Sequence, residues 1–241
     1  MNIESINNSK VKAWAKLKEK KYRDSEQSFI IEGDHLLKEA LKKGLVKEII
    51  ALDDIYKIED IPFYLVTKEI MKKLTSQVTI SPVIAVVNKI DPRDINGRVC
   101  LLDNIQDPGN LGTIIRSAVA FNIDTIILSP DTVDLYNEKV IRASEGMIFN
   151  LNFVKKDLKL AIEDLKKDNY QIIGTNVQKG ELLKNISFSA KTGIIMGNEG
   201  RGMNQSLLDY CDNLAYIPIS NSCESLNVAI AASIIFYEIN R

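Results

Sequence analysis

The chain has 241 residues, with 31 basic against 32 acidic side chains and a formal net charge of −1. That length allows one large or two small domains. The charge balance removes any global argument for a nucleic-acid partner, which must rest on local clustering instead.

A single histidine, His35, and three cysteines without paired spacing, Cys100, Cys211 and Cys223, argue against histidine metal sites, zinc motifs and Ser-His-Asp hydrolysis. They fit a reducing compartment. No apolar leader opens the chain and no run reaches membrane-span length. The expectation is a soluble cytoplasmic protein with no metal and no membrane contact.

Residues 9–23 (SKVKAWAKLKEKKYR) place Val11, Trp14 and Leu17 near helical spacing behind Ser9, predicting one amphipathic helix. Lys10, Lys18, Lys20, Lys21 and Arg23 are candidate phosphate contacts, with Trp14 or Tyr22 as a stacking platform for a base. The same pattern fits a solvated lysine face with Trp14 in a local core, and both readings stand. A strand at 28–33 follows, then a helix capped by Asp34 and ended by Gly44, with His35 in its exposed first turn. Strands at 46–52, 63–66 and 83–87 and a helix from Thr67 complete a small α/β unit over residues 1–90. The polar stretch around 88–97, with Pro92 and Gly97, reads as a linker.

From 98 to 241 strands alternate with helices, the signature of a parallel sheet with helices on both faces. Expected strands lie at 99–104, 124–128, 148–154, 170–174, 192–197 and 214–217. Expected helices follow Pro108, span 137–143 and 158–165, and cover 205–209. The run 226–239 is apolar except for Asn227, Ser233 and Glu238, which predicts a helix buried on all sides. Asn221, Glu224 and Ser225 supply N-cap chemistry for it. That mouth either caps a core helix or holds an anion or carboxylate.

Ligands of open parallel sheets sit beyond the carboxyl ends of strands. Four polar loops follow strand-like runs here. The first, 103–116, carries Gly109, Gly112, Asn110 and Arg116, the arginine set unfavourably against a helix dipole unless an anion or a surface salt bridge offsets it. The second, 139–146, holds Arg142 and Ser144. The third is Met196-Gly-Asn-Glu-Gly-Arg-Gly-Met203, neither a P-loop nor a dinucleotide fingerprint. The fourth is 217–229.

In this order, Asn110-Leu-Gly-Thr-Ile-Ile-Arg116, Ile195-Met-Gly-Asn-Glu-Gly-Arg-Gly202 and Ile217-Pro-Ile219 through Glu224-Ser-Leu-Asn-Val-Ala229 resemble the motifs of the SpoU/TrmH family of RNA ribose 2′-O-methyltransferases, in the SPOUT superfamily. The resemblance spans about 98–241. Residues 1–90 resemble, less specifically, a substrate-binding domain that many members carry. The resemblance implies an α/β fold in which a parallel-sheet SPOUT domain with a C-terminal deep trefoil knot follows a small α/β RNA-binding domain. It implies a homodimer that binds S-adenosyl-L-methionine in its knotted loops. Gly197, Ile217 and Leu226 would hold the cofactor beside Met196, Asn198 and Ile219. Asn110, Arg116, Glu199, Ser225 and Asn227 would form the catalytic set, with Arg142 and Ser144 near RNA.

The implied activity is methylation of a ribose 2′-hydroxyl, with 23S ribosomal RNA as the expected substrate. A tRNA methyltransferase and a catalytically silent knotted RNA-binding protein are the alternatives. Arg116 would act either as proton acceptor or as a charge that stabilises phosphate and alkoxide. Ile219 stands where the family often has Met, a volume-conserving change. Asn221 stands where Gly is common, and Asn tolerates the same left-handed backbone.

Overall fold

The computed structural model describes residues 1–176 and 180–241. In chain order its elements are β1 (Asn2–Ile3), α1 (Ser9–Lys16), α2 (Lys20–Glu26), β2 (Ser28–Glu32), α3 (Asp34–Lys42), β3 (Val46–Ala51), β4 (Phe63–Val66), α4 (Lys68–Leu74) and β5 (Val83–Asn88). Then come β6 (Val99–Leu102), α5 (Pro108–Ala120), β7 (Thr125–Leu128), α6 (Glu138–Ala143), β8 (Asn152–Lys155), α7 (Leu158–Lys167) and β9 (Gln171–Thr175). The last are β10 (Glu181–Leu182), β11 (Thr192–Met196), α8 (Gln205–Leu208), β12 (Asn213–Tyr216) and α9 (Val228–Ile239). They divide into two compact units: Met1–Ile90 with Asp134–Phe149, and Asp91–Val133 with Asn150–Arg241.

The first unit is a five-stranded mixed sheet in the order β1-β4-β3-β5-β2, with β5 antiparallel to both its neighbours. Val11, Trp14 and Leu17 pack with Ile70, Met71 and Leu74 of α4 against Ile50, Tyr64 and Ile84 of the sheet. The single helix expected at 9–23 is two helices, and Asn8 rather than Ser9 is the N-cap. Arg23 explains the break. Its guanidinium donates to the carbonyls of Leu17 at 2.9 Å and Lys18 at 2.7 Å. A continuous helix would need those carbonyls for the amides of Lys21 and Tyr22. Trp14 is only 3% exposed and its Nε1 donates to Glu48 at 2.6 Å, so it is a core residue and not a stacking platform.

Arg23 is buried, and its Nη2 pairs with Asp134 at 2.5 Å. The expectation that it contacts RNA is therefore corrected. The segment 134–149 lies between β7 and β8 in the chain, yet it packs in this first unit. Tyr136 and Phe149 set their rings 4.7 and 6.3 Å from Phe29, and His35 Nε2 lies 3.1 Å from the Glu145 carbonyl oxygen. Ser144, an expected RNA neighbour, is fully buried, and its hydroxyl donates to the Ile141 carbonyl at 2.8 Å. It closes the end of α6 and is not offered to a ligand.

The second unit holds a seven-stranded parallel sheet in the order β10-β12-β9-β11-β6-β7-β8. Val99, Leu101, Ile127, Ile172 and Ile195 pack under Leu158, Ile162 and Leu165 of α7 and Leu207 of α8. The pleat turns Cys100 and Leu102 to the opposite face, where both are also fully buried. Continuous burial on both faces is why these strands read as unbroken apolar runs. Residues 148–154, expected as one strand, form a 3-10 turn (Met147–Asn150) and then β8. The two-residue strands β1 and β10 are too short to show any period.

Helices α5 and α9 run side by side. Ser117 and Ser233 hydroxyls are 2.6 Å apart, Asn122 Nδ2 donates to Asn240 Oδ1 at 3.0 Å, and Phe121 meets Tyr237 edge-on at 5.8 Å. The N-cap of α9 is Asn227, not Asn221 or Ser225: its Oδ1 accepts from the amides of Ala229 at 2.9 Å and Ile230 at 3.3 Å. Nor is α9 buried all round. Ile230, Ile234 and Tyr237, at helical spacing on one stripe, are 53%, 37% and 57% exposed. Among the described residues no helix is long and apolar enough to cross a membrane, and no cluster of His, Cys, Asp or Glu is arranged to hold a metal.

Asp24 bonds the ammonium groups of Lys20 and Lys89, and these hold its carboxyl down at about 2. Its folded pKa is depressed, so its contribution to stability is present above the ordinary carboxylate range and is lost as pH falls toward 2. Solvent exposure keeps that contribution small. Asp24→Asn should lower the melting temperature at pH 7, and thermal melts below pH 2 should show the two proteins equal.

Candidate active site

The loops that follow β6, β11 and β12 converge on one cavity of about 620 Å³. The loop after β11 is held by its own backbone. Asn198 and Gly202 exchange N–H···O bonds of 2.9 Å in both directions, and Asn198 Oδ1 accepts from the amides of Gly200 at 2.9 Å and Arg201 at 3.1 Å. The remaining half of the Asn198 amide, Nδ2, donates to the Asn104 carbonyl at 2.7 Å and ties this loop to the one after β6. At Gly197 a Cβ would lie 2.2 Å from the Met203 nitrogen and 2.3 Å from the Gly202 carbonyl carbon, so no side chain fits. Gly202 adopts φ +69°, the left-handed region that glycine enters without strain.

Glu199 faces the start of α5. Its carboxylate accepts from the amides of Gln106 (3.2 Å) and Asp107 (3.1 Å) and from Asn110 Nδ2 (3.1 Å). Burial pushes its pKa up, but the Asn110 and backbone hydrogen bonds outweigh that, and the group sits below its ordinary value. It is a fixed acceptor with its lone pairs already engaged. Asn110 Oδ1 in turn accepts from Asn227 Nδ2 at 2.8 Å, and Asn227 Oδ1 caps α9. The chain Glu199–Asn110–Asn227 therefore links the N-terminal ends of α5 and α9, and every step has a fixed direction.

Of the residues singled out in the sequence, Asn110, Met196, Gly197, Asn198, Glu199, Ile217, Ile219, Ser225, Leu226 and Asn227 all line this cavity. Arg116 does not. It is exposed on α5, and its guanidinium makes no hydrogen bond or ion pair among the described residues. Six positions beyond Asn110 on a 3.6-residue helix, it lies about 120° around the axis from it. Arg142 is exposed on α6, in the other unit. The cavity also takes Thr175, Met203 and Gln205 in its wall. Met203 closes the glycine loop read from the sequence, and Gln205 lies two residues beyond it. Thr175 ends a strand and carries no such signal.

A parallel α/β unit whose strand-end loops wrap a glycine turn, two oriented amides and an apolar wall around one cavity is built to hold a small organic cofactor. The chain belongs to the SpoU rRNA Methylase family, whose model matches residues 97–237, and the MRM3-like substrate binding domain matches residues 8–85. It is 38% identical over 98% of both chains to 23S rRNA (guanosine(2553)-2′-O)-methyltransferase RlmP of Bacillus subtilis. It is 32% identical, over 65% of its own length and 63% of the relative's, to 23S rRNA (guanosine-2′-O-)-methyltransferase RlmB of Coxiella burnetii. The AdoMet-bound rRNA methyltransferase from Sinorhizobium meliloti matches all of this chain and 97% of its own, with a TM-score of 0.92 at 28% identity.

Gly197→Ala should abolish binding of S-adenosylhomocysteine in a calorimetric titration, because the loop must shift to admit the methyl group. Binding as tight as that of the unaltered protein would mean that this backbone packing does not shape the cavity.

Proposed function

We propose that this protein transfers the methyl group of S-adenosyl-L-methionine to a ribose 2′-hydroxyl of 23S ribosomal RNA. The carrying observation is the Glu199–Asn110–Asn227 hydrogen-bond chain in the cavity wall, set beside a glycine loop that only backbone can fill. The 38% identity to a full-length relative named for that reaction supports the substrate.

The cavity fits the cofactor. Met196, Ile217, Ile219 and Leu226 supply an apolar wall for an adenine, while Gly197 and the neighbouring loop backbone supply close-approaching polar groups. When bound, the cofactor supplies an electrophilic methyl on a sulfonium. A ribose hydroxyl is a weak nucleophile that must be aligned with that methyl and lose its proton as it attacks. The Ser225 hydroxyl lines the cavity and makes no hydrogen bond among the described residues, which leaves it to orient the 2′-OH. Asn110 and Asn227 are held with their amides facing one another, and Glu199 acts through Asn110 as a positioning residue. Arg116 stands outside the cavity wall with no partner. A guanidinium ordinarily stays charged, so phosphate and alkoxide stabilisation fits it better than proton removal.

The exposed stripe Ile230, Ile234 and Tyr237 on α9 supports a homodimer that covers it. Strand β12 lies between β9 and β10, which are consecutive in the chain, and this order supports a knotted C-terminal connection. The division into an RNA-binding domain over 1–90 and a methyltransferase domain over 98–241 is supported by the two family matches. A 23S RNA substrate supports a cytoplasmic protein.

Tritiated methyl transfer to total RNA tests the function: label in 23S RNA supports it, label in tRNA alone points to the tRNA reading, and cofactor binding without label leaves a silent RNA-binding protein. Arg116→Lys should keep the pH profile of methyl transfer while Arg116→Ala lowers the rate at every pH. A profile shifted by Lys would assign Arg116 the proton. Replacing Ile230 and Ile234 by Asp should convert the dimer to monomer in sedimentation velocity; a native protein that is already monomeric would refute the dimer.

A further inference from the structure

Residues 10–23 hold seven basic side chains; Lys12 is exposed without a side-chain hydrogen bond or ion pair among the described residues, and the structure sorts the other six by direction. Lys10 pairs with Glu48 at 2.7 Å and Lys20 pairs with Asp24. Lys18 donates to the carbonyls of Lys73 and Thr75, each at 3.0 Å, and Arg23 is buried against Asp134. Of these, Lys18 and Arg23 fasten the break between α1 and α2, while Lys10 and Lys20 are engaged in ion pairs away from it. On its outer side, half-buried Tyr22 carries a lysine over its ring from each helix: Lys16 Nζ at 5.2 Å from the centroid and Lys21 Nζ at 4.7 Å. Lys16 is exposed, and its ammonium makes no ion pair or hydrogen bond among the described residues. Lys21 has only Glu19, at 3.2 Å, and both side chains are well exposed.

An aromatic ring beside two exposed ammonium groups, one unpaired and one held only by an exposed carboxylate, is complementary to a nucleotide: a base stacks on the ring while the cations take the flanking phosphates. A base on the ring displaces a lysine from one face, and that lysine moves only to the adjacent phosphate. A base inside an A-form duplex is already stacked on both sides and is not presented to a protein ring, whereas an unpaired base is. The turn that carries the platform is locked by the inward bonds of Lys18 and Arg23, so little is spent on ordering it. We propose that Tyr22, with Lys16 and Lys21, is a stacking platform for an unpaired nucleotide, and that the N-terminal unit engages a single-stranded loop of the RNA substrate. This rests on the RNA methyltransferase reading above and names the class of RNA structure it acts on.

The test is binding of the whole protein to a synthetic RNA hairpin with an unpaired loop and to a blunt duplex of equal length, by fluorescence anisotropy over a range of salt. The hairpin should bind more tightly than the duplex. Tyr22→Ala should weaken hairpin binding about tenfold, and Tyr22→Phe should restore it. The double change Lys16→Ala and Lys21→Ala should flatten the salt slope by about 1.4, two phosphates on a single strand. Lys18→Ala should lower the melting temperature and leave the slope unaltered. Equal affinity for hairpin and duplex, unweakened binding by Tyr22→Ala in a protein that melts like the native one, or a Tyr22→Phe variant as weak as Tyr22→Ala would each overturn the platform. Methyl transfer to 23S RNA by the unaltered protein is read separately: label together with an indifferent Tyr22→Ala defeats the platform alone, and the absence of label from all RNA defeats the functional reading.

Discussion

The site depends on one hydrogen-bond chain, from the Glu199 carboxylate through the Asn110 amide to the Asn227 amide. Each of its members performs a second task in the backbone. Glu199 accepts the amides of Gln106 and Asp107 ahead of α5, and Asn227 accepts the amides of Ala229 and Ile230 at the start of α9. Helix starts carry unpaired amides that must find acceptors. Here two helix starts are satisfied by the same side chains that line the cavity, so local helix stability and site geometry are a single constraint. An isolated cap contributes on the order of 1 kcal/mol. Coupling two caps through a shared amide adds directionality, because reversing either amide would place donor against donor.

The sheet order explains why these starts meet. β6, β11 and β12 are all parallel and lie within four positions of one another, so their carboxyl ends open on the same edge. α5 follows β6 and α9 follows β12, and the two helices then pack along their length through Ser117–Ser233 and Asn122–Asn240. The glycine loop after β11 lies between them in the strand order. Its self-bonded Asn198–Gly202 bridge keeps its own polar groups satisfied, and its close packing at Gly197 leaves space on the cavity side for a ligand.

Much of this is legible in the residues. The apolar runs at β6, β7, β9 and β11 declare strands buried on both faces, and the polar loops that end them declare where a ligand sits. Ten of the residues read as site residues share one cavity wall. What failed depends on partners distant in sequence. Arg23 reads as one more cation of a basic helix, and only the Leu17 and Lys18 carbonyls and Asp134 reveal it as the group that ends that helix. Ser144 reads as a hydroxyl beside an arginine, and only its bond to the Ile141 carbonyl turns it inward. For the α9 start, Asn221, Glu224, Ser225 and Asn227 are all competent caps in sequence, and Asn227, which caps the helix, is the one whose amide also meets Asn110, 117 positions away.

The same sorting governs the charges. A chain with a net charge of −1 attracts a polyanion only through where its cations point. In the first unit Lys18 donates to backbone carbonyls and Arg23 to carbonyls and the half-buried Asp134 carboxylate, so both side chains are engaged in holding the turn between α1 and α2. Lys16 and Lys21 escape because that turn, once fixed, leaves them only the Tyr22 ring and one exposed carboxylate. A basic stretch acquires a binding face when part of its charge is used to fold it.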